Sequence, residues 1–137
     1  MNIGNPSREE IGKILKNSKR IAVVGLSANP ERTSYMVSKA MQEAGYEIIP
    51  VNPTVAEVLG EKAVKSLKEI EGHVDIVDIF RRPEHLFELA KEFAEIDADV
   101  FWAQLGIVNE EAYQFLKERG ITVIMDRCIK VEHAMTK

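Results

Sequence analysis

The sequence is poor in the residues on which secreted, metal-binding and membrane-spanning proteins depend. Its single cysteine, Cys128, excludes a disulfide within the chain and is typical of a reducing compartment. No apolar run approaches the roughly 20 residues that a membrane-spanning helix needs, and residues 1–8 lack the apolar core of a signal peptide. One cysteine and three scattered histidines do not form a metal-ligating pattern. We therefore expect a cytoplasmic protein that neither enters a membrane nor binds a metal.

Basic charge is also scarce. The chain has 18 Lys and Arg residues against 22 Asp and Glu residues, for a formal net charge of −4. Proteins that bind long nucleic acids usually carry a basic excess or a basic stripe, so nucleic acid is not an expected partner. Hydrophobic residues make up 45% of the 137 positions, and no linker or repeat divides the chain. We expect one domain over residues 1–137.

Strand and helix patterns alternate along the chain. Short apolar runs, many of them β-branched, predict five strands at 21–24, 46–51, 74–80, 100–102 and 121–125. Ser7 and Glu10 form a capping box, and apolar spacing predicts the first helix over about 6–17. Further helices are predicted along a face at 37–44, from Pro83 onward, and from an N-cap at Asn109. This alternation is typical of an α/β protein, a three-layer sandwich in which helices cover both faces of a mainly parallel five-stranded sheet.

Two features of the pattern leave choices open. In the stretch 54–72, Ser66 and Glu69 have the spacing of a capping box and predict a short helix, while 55–64 fits either an irregular excursion or a small strand. Asp78 interrupts a buried strand and therefore requires a partner, such as Arg81 or a backbone donor.

Arginines gather where a ligand site is expected. Ligands of open parallel sheets bind beyond the carboxyl ends of the strands, at the switch in strand order. Four of the seven arginines directly follow predicted strands or lie in the loops after them: Arg32, Arg81, Arg82 and Arg127. Guanidinium groups pair bidentately with phosphate oxygens, which favours a phosphate site. The alternative is that these arginines simply lie in surface loops and pair with nearby carboxylates.

The loop after the first strand narrows the ligand class. Residues 25–34 match neither the G-x-G-x-x-G fingerprint of dinucleotide sites nor a Walker A loop. They place three hydroxyls, those of Ser27, Thr33 and Ser34, beside Arg32 at the start of a helix, and this set suits phosphates.

The second strand ends in Val51-Asn52 without the carboxylate that an NAD site uses for ribose hydroxyls, which disfavours NAD.

Five segments together resemble the small CoA-binding domain proteins, a family similar to the N-terminal domain of the succinyl-CoA synthetase alpha subunit. The segments are Val23-Val24-Gly25-Leu26-Ser27-Ala28-Asn29-Pro30-Glu31-Arg32-Thr33-Ser34, Gly45-Tyr46 with Pro50-Val51-Asn52-Pro53, Val74 to Glu84, Trp102 to Gly106, and Met125 to Ile129. Each is weak alone, but the combination is specific and extends from Ile21 to His133.

The resemblance implies a Rossmann-like fold that holds coenzyme A or an acyl-CoA. It assigns the phosphate contacts to Gly25, Ser27, Arg32 and Ser34. Thr33, in the same loop, is also an expected binding residue. It places Asn52 and Pro53 beside the adenosine, and Phe80, Arg81 and Pro83 along the wall beside the pantetheine and phosphates. The residues alone agree on the first loop and on Arg81, but do not distinguish CoA from another anionic nucleotide.

Catalysis is not expected. The synthetase requires a phosphorylated histidine on a further domain and a partner beta subunit, and we expect no such domain in these 137 residues. The loop around Cys128 also lacks the Gly-Pro-Asn-Cys-Pro-Gly pattern of the synthetase. His73 and His85 are expected at the surface, and the pair of Cys128 and His133 has no evident third group to orient it. We expect a non-catalytic CoA-binding protein; the alternatives are a small NAD(P)-dependent oxidoreductase and a nucleotide-binding subunit of a larger acyl-CoA enzyme. The acyl group, the oligomeric state and any reaction of Cys128 with the ligand thiol stay open.

Overall fold

The apolar runs form the strands of one central sheet. The computed structural model describes residues 3–137. Its strands are β1 (Arg20–Val24), β2 (Glu47–Val51), β3 (Glu57–Val58), β4 (Glu61–Lys62), β5 (Val74–Ile79), β6 (Ala98–Ala103) and β7 (Thr122–Ile124). Its helices are α1 (Arg8–Asn17), α2 (Thr33–Glu43), α3 (Leu86–Phe93), α4 (Glu110–Lys117) and α5 (Ile129–Thr136). Two 3₁₀ turns lie at Leu67–Glu69 and Pro83–His85.

The main sheet has the order β2-β1-β5-β6-β7, and all of its pairs are parallel. The chain first adds β2 on one side of β1 and then adds β5 on the other side. The order therefore switches between β1 and β5, and the loops after these two strands diverge there. This is the point at which open α/β sheets bind their ligands.

Both faces of the sheet are buried because the strands are apolar on both sides. Along β1, Ile21 and Val23 point to one core, and Ala22 and Val24 point to the other. The first core also receives residues of α1, α2 and α5, and the second receives residues of α3 and α4. This arrangement confirms the predicted α/β three-layer sandwich.

Local capping sets the start of two helices as predicted. The Ser7 hydroxyl accepts a hydrogen bond from the backbone N–H of Glu10 at 3.1 Å, so α1 begins at Arg8. The Asn109 side chain accepts from the backbone N–H of Ala112 at 2.9 Å, so α4 begins at Glu110. Each cap satisfies one amide that the first helical turn leaves without a partner.

The stretch 54–72 contains more regular structure than the pattern predicts. β3 and β4 form a two-stranded antiparallel hairpin. The predicted short helix is the 3₁₀ turn Leu67–Glu69, but Ser66 does not cap it, and the Glu69 carboxylate instead accepts from the backbone N–H of Lys65 at 3.0 Å. Val64 pairs in parallel with Val51 and so covers part of the outer edge of β2.

The last helix, α5, is absent from the sequence-based prediction. Its buried residues are Ile129 and Glu132, and the carboxylate is held by a two-point hydrogen bond from Arg8 at 3.0 and 3.2 Å. A buried glutamate interrupts the apolar spacing, so the pattern does not reveal this helix. Among the described residues, no helix is long and apolar enough to cross a bilayer.

Candidate functional site

Gly25 forms the floor of the switch point between β1 and β5. Its backbone N–H donates to the carbonyl of Val51 at 2.9 Å, and the backbone N–H of Phe80 donates to the carbonyl of Val24 at 2.9 Å. Gly25 has a φ of +82°, and a Cβ at this position would lie 2.5 Å from the Phe80 carbonyl oxygen. Only glycine fits this position, and the bare backbone leaves room for a ligand.

Three side chains fix the loop between Gly25 and α2. The Ser27 hydroxyl accepts from the backbone N–H of Asn29, and the Asn29 side chain accepts from the backbone N–H of Glu31, both at 3.0 Å. The Ser34 hydroxyl, which is buried, accepts from the backbone N–H of Ser27 at 3.0 Å. At the N-cap of α2, the side chain of Arg32 makes no capping bond. The loop is thus held by its own polar groups while the helix start stays open.

These residues surround a cavity of about 460 Å³. Its lining consists of Gly25, Ser27, Glu31, Arg32, Thr33, Ser34 and Phe80. Six of the ten predicted site residues therefore meet in one place. Glu31 is an addition that the sequence reasoning did not consider, although its position one residue before Arg32 could have indicated it.

Two more of the predicted residues follow β2 and are not among the residues that line this cavity. The Asn52 side chain donates to the carbonyl of Leu26 at 3.0 Å and accepts from the backbone N–H of Thr54 at 2.9 Å. Asn52 therefore joins the end of β2 to the loop after β1. Pro53 follows it and is exposed.

The remaining two lie beyond β5. The Cδ atom of Arg81 is 3.3 Å from the position that a Gly25 Cβ would take, so this side chain passes directly beside the floor. Pro83 is exposed and lies further away, where its carbonyl accepts from the side chain of Asn109 at 2.9 Å. Asn109 precedes α4, so Pro83 is held toward the side of the sheet that α3 and α4 cover.

Three arginines at this edge have no acidic partner in the part of the chain that the structure describes. Within residues 3–137, no carboxylate lies within ion-pair distance of the exposed Arg32, Arg81 or Arg82. By contrast, Arg8 and Arg20 each reach a glutamate at 3.0 Å. The alternative in which the loop arginines pair with nearby carboxylates therefore does not hold for these three. Open guanidinium groups on one edge attract an anion even though the whole chain is acidic.

Arg127 differs from the other three predicted edge arginines. One of its guanidinium nitrogens donates to the carbonyl of Asp126 at 2.8 Å, and its own carbonyl accepts from the Trp102 indole at 2.8 Å. Asp126, with a φ of +62°, accepts from the backbone N–H of Gly106 at 2.7 Å. Arg127 is thus part of a connection between the ends of β6 and β7.

A buried carboxyl group lies one residue before the end of β5. Asp78 is 1% exposed and lies on β5 opposite Val23 of β1 and Trp102 of β6. Its partner is Gln104, whose side-chain N–H donates to the carboxylate, and not Arg81 as one of the predicted options had it. Burial raises the pKa of Asp78 to about 7, although the hydrogen bonds from Gln104 and from the Ile79 backbone act in the opposite direction.

A larger cavity, of about 610 Å³, lies elsewhere. It opens between α1 and α5, and Lys16, near the end of α1, and Tyr46, just before β2, are among its lining residues. These positions belong to the amino edge of the sheet. Size alone would favour this cavity as the nucleotide site, but the open guanidinium groups, the hydroxyls and the glycine floor belong to the smaller one. The smaller cavity is therefore the candidate functional site.

A histidine and three aspartates meet at the amino edge of the sheet. His73 Nδ1 lies 2.7 Å from Asp97, and His73 Nε2 lies 2.9 Å from Asp99 and 3.5 Å from Asp75. Donor atoms of His73, Asp75 and Asp99 lie within 4.8 Å of one another, a spacing that a metal could use. Because both ring nitrogens bond to carboxylates, a protonated imidazole explains the cluster without a metal. Hydrogen bonds to Asp97 and Asp99 raise the pKa of His73.

The His73 cluster makes stability depend on pH. The pKa of His73 is higher in the folded chain than its ordinary value of 6.5, so the protonated imidazole stabilises the fold fully at pH values below 6.5. This stabilisation is lost as the pH rises through the pKa of the folded chain. We expect wild type to melt above His73→Gln at pH 6 and the gap to close at alkaline pH, measured by thermal denaturation. A gap that widens with pH would contradict this assignment.

Comparison with known proteins shows which family this chain belongs to. The family model described as a CoA binding domain matches residues 19–134. The uncharacterized protein YneT of Bacillus subtilis (strain 168) is 71% identical over 133 residues, which make up 97% of this chain and 98% of that protein. A hypothetical protein from Pyrococcus horikoshii OT3 has a solved structure with a TM-score of 0.92 and 35% identity, over 99% of both chains.

A further relative is much longer than this chain. The ADP-forming acetate–CoA ligase II subunit alpha of Pyrococcus furiosus is 45% identical over 64 residues, which are 46% of this chain and 14% of that subunit. The likeness thus concerns one segment of the ligase subunit. Together with the family model over residues 19–134, it identifies the chain as a member of the CoA-binding domain family.

Proposed function

We propose that this protein binds coenzyme A or an acyl-CoA at the edge of the sheet where β1 and β5 diverge. The observation that carries the proposal is that Arg32 and Arg81 lie beside the Gly25 floor, with Arg82 next in the chain, and that none of these guanidinium groups pairs with a carboxylate of residues 3–137. Coenzyme A carries three phosphates, and forked guanidinium donors suit phosphate oxygens better than ammonium groups do.

The residues present suit the phosphate groups of such a ligand. At Gly25 the backbone is bare, and a Cβ would fill the space beside Phe80. Arg32, with the hydroxyls of Ser27, Thr33 and Ser34, would hold phosphates at the start of α2, where the helix dipole adds a favourable field.

The rest of the ligand would extend to both sides of this point. The adenosine would lie toward Asn52 and Pro53 at the end of β2. The pantetheine would pass Phe80 and Arg81 toward Pro83, across the ends of β5 and β6. The cavity of about 460 Å³ accommodates only part of the molecule, so the remainder would lie along the open edge.

A classical NAD site is less well supported by the same edge. The side chain at the tip of β2 is an amide, that of Asn52, and its oxygen already accepts from the backbone N–H and the hydroxyl of Thr54, at 2.9 and 2.7 Å. An NAD enzyme uses a carboxylate at this place to accept from the ribose hydroxyls. The alternative of a small NAD(P)-dependent oxidoreductase therefore has no specific observation in its favour.

We propose a binding role rather than catalysis. The histidine nearest in sequence to Cys128 is His133, and its ring packs edge-to-face on Tyr46 at 5.7 Å between centroids. The described residues therefore provide no pairing of this cysteine with a base. A cytoplasmic location, where thiols stay reduced, fits both the free Cys128 and a thiol ligand.

Arg32 supplies the direct test of the proposed function. We expect Arg32→Ala to weaken CoA binding by about 1–3 kcal/mol, or roughly 5- to 150-fold, because it removes one charged contact to phosphate. The measurement is calorimetric titration of CoA, with the ligand-induced rise in melting temperature as a second readout.

The matched control for this test is Arg119→Ala. Arg119 lies just after α4, where its guanidinium lies 3.5 Å from the centre of the Phe115 ring, and its removal changes the net charge by the same amount. We expect this variant to bind CoA like wild type. Equal weakening in both variants, or binding of NAD with no response to CoA, would overturn the proposed function.

A further inference from the structure

The second cavity, named here the α1–α5 cavity, has an apolar interior. Leu15, Tyr46 and Met135 are among its lining residues, and Met135 is 60% exposed. Gly12 lets the two helices approach, since a Cβ there would lie 3.0 Å from Thr136 Cβ. Exposed apolar surface of this kind in a concave place is typical of a binding site.

An aromatic pair forms one wall of the cavity. The Tyr46 ring meets the His133 ring edge-to-face, at 5.7 Å between centroids. The Tyr46 hydroxyl donates to the carbonyl of Leu15 at 2.6 Å, so the ring is held in place. Burial raises the pKa of Tyr46, which keeps the hydroxyl neutral. A rigid aromatic wall suits a flat apolar group.

Donors without partners lie around this interior. Among residues 3–137, no carboxylate pairs with the ammonium group of Lys16, and neither ring nitrogen of His133 has a hydrogen-bond partner. The neighbouring Arg8 is already held by Glu132, and Lys13 lies 3.8 Å from Glu9. Lys137, which also lines the cavity, adds another ammonium group, so the side-chain charge left open there is positive.

We propose that the α1–α5 cavity binds a small organic anion, an aryl or arylalkyl carboxylate, independently of the CoA site. The flat apolar part would lie against Tyr46 and Met135, and the carboxylate would face Lys16 and His133. A single carboxylate suits this rim better than a phosphate, because its open donors are an ammonium and an imidazole rather than guanidinium forks. The volume of about 610 Å³ is within the usual range for small-molecule sites, roughly 300–1,000 Å³.

The two sites are separate in the structure. No residue in the described range 3–137 lines both cavities, and they lie toward opposite edges of the sheet. The proposal therefore stands or fails independently of CoA binding.

The test is an NMR titration of the intact protein with 4-phenylbutyrate, in which the signals of Met135 and Tyr46 are followed. We expect saturable shifts at millimolar concentrations, and about tenfold weaker binding to Lys16→Glu because the charge at the rim is reversed. The matched control is Lys117→Glu, at the exposed end of α4, which should bind like wild type. The neutral analogue 4-phenylbutanol should bind at least several-fold more weakly than the carboxylate.

Several outcomes would overturn the proposal. These are the absence of saturable shifts in wild type, equal weakening in Lys16→Glu and Lys117→Glu, and equal binding of the acid and the alcohol. A second copy of the chain seated on Met135 would also overturn it; this would show as a dimer in size-exclusion chromatography that Met135→Glu dissociates. A CoA titration of the same samples reports whether the protein is folded and whether the other site is intact.

Discussion

Replacing Gly25 with alanine is expected to lower the free energy of unfolding by about 3 kcal/mol and to abolish the rise in melting temperature with CoA. Two effects add at this position. A φ of +82° is unfavourable for any residue with a Cβ, and the new Cβ would lie 2.5 Å from the Phe80 carbonyl oxygen. The clash is with backbone, so either β1 or β5 must move, and this movement distorts the floor of the proposed site.

The matched control for Gly25→Ala is Gly106→Ala. Gly106 has the same φ of +82°, but no atom of the described part of the chain lies within 4 Å of the position that its Cβ would take. We expect this variant to show only the backbone strain, about 1–2 kcal/mol, in urea denaturation. A loss for Gly25→Ala no greater than that for Gly106→Ala would contradict the close approach of β1 and β5.

Replacing Asp78 with asparagine is expected to stabilise the protein at pH 8, by up to about 4 kcal/mol. The pKa of Asp78 is about 7 in the folded chain, above its ordinary value of 3.8, because the group is buried. As the pH rises, the Asp78 carboxyl group therefore loses its proton in the unfolded chain before it does so in the folded chain. For this reason the stability of wild type falls between about pH 4 and pH 7. Asparagine carries no charge at any of these pH values.

Denaturation by urea across pH 4 to 8 provides the measurement for Asp78→Asn. The gain in the free energy of unfolding should be absent near pH 4 and largest above pH 7, and a variant no more stable than wild type at pH 8 would contradict the burial of a titrating carboxyl group.

The control is Asp75→Asn, on the same strand, for which we expect a change in stability of the opposite sign. Burial alone would raise the pKa of Asp75, but hydrogen bonds from the backbone amides of Arg20 and Lys19 and the nearby His73 lower it overall. This variant should therefore be destabilised at neutral pH.

The sequence alone predicts most of the fold because the relevant signals are local. The apolar run Ile21–Val24, the cap at Ser7 and the cap at Asn109 each involve residues close together in the chain, and each prediction is confirmed. The α/β class follows from the alternation of such elements. The gathering of Arg32 and Arg81 at one edge also follows, because the carboxyl ends of parallel strands share that edge.

The features that the sequence does not reveal depend on contacts between distant residues. The helix α5 contains a buried glutamate that is tolerable only because Arg8, 124 positions earlier, reaches it. The partner of Asp78 is Gln104, 26 positions later, on a loop whose course depends on the order of the strands. The α1–α5 cavity likewise forms only where the two ends of the chain meet. Residue types and spacing do not specify such long-range pairs.

The most direct test of CoA binding at the β1–β5 edge is a backbone-amide NMR titration of the intact protein with CoA. We predict that the largest shifts occur at residues 25–34 and 80–82, with little change at Tyr46 and His133. Shifts concentrated at the α1–α5 cavity, or no shifts at saturating CoA, would contradict the proposed location of the site.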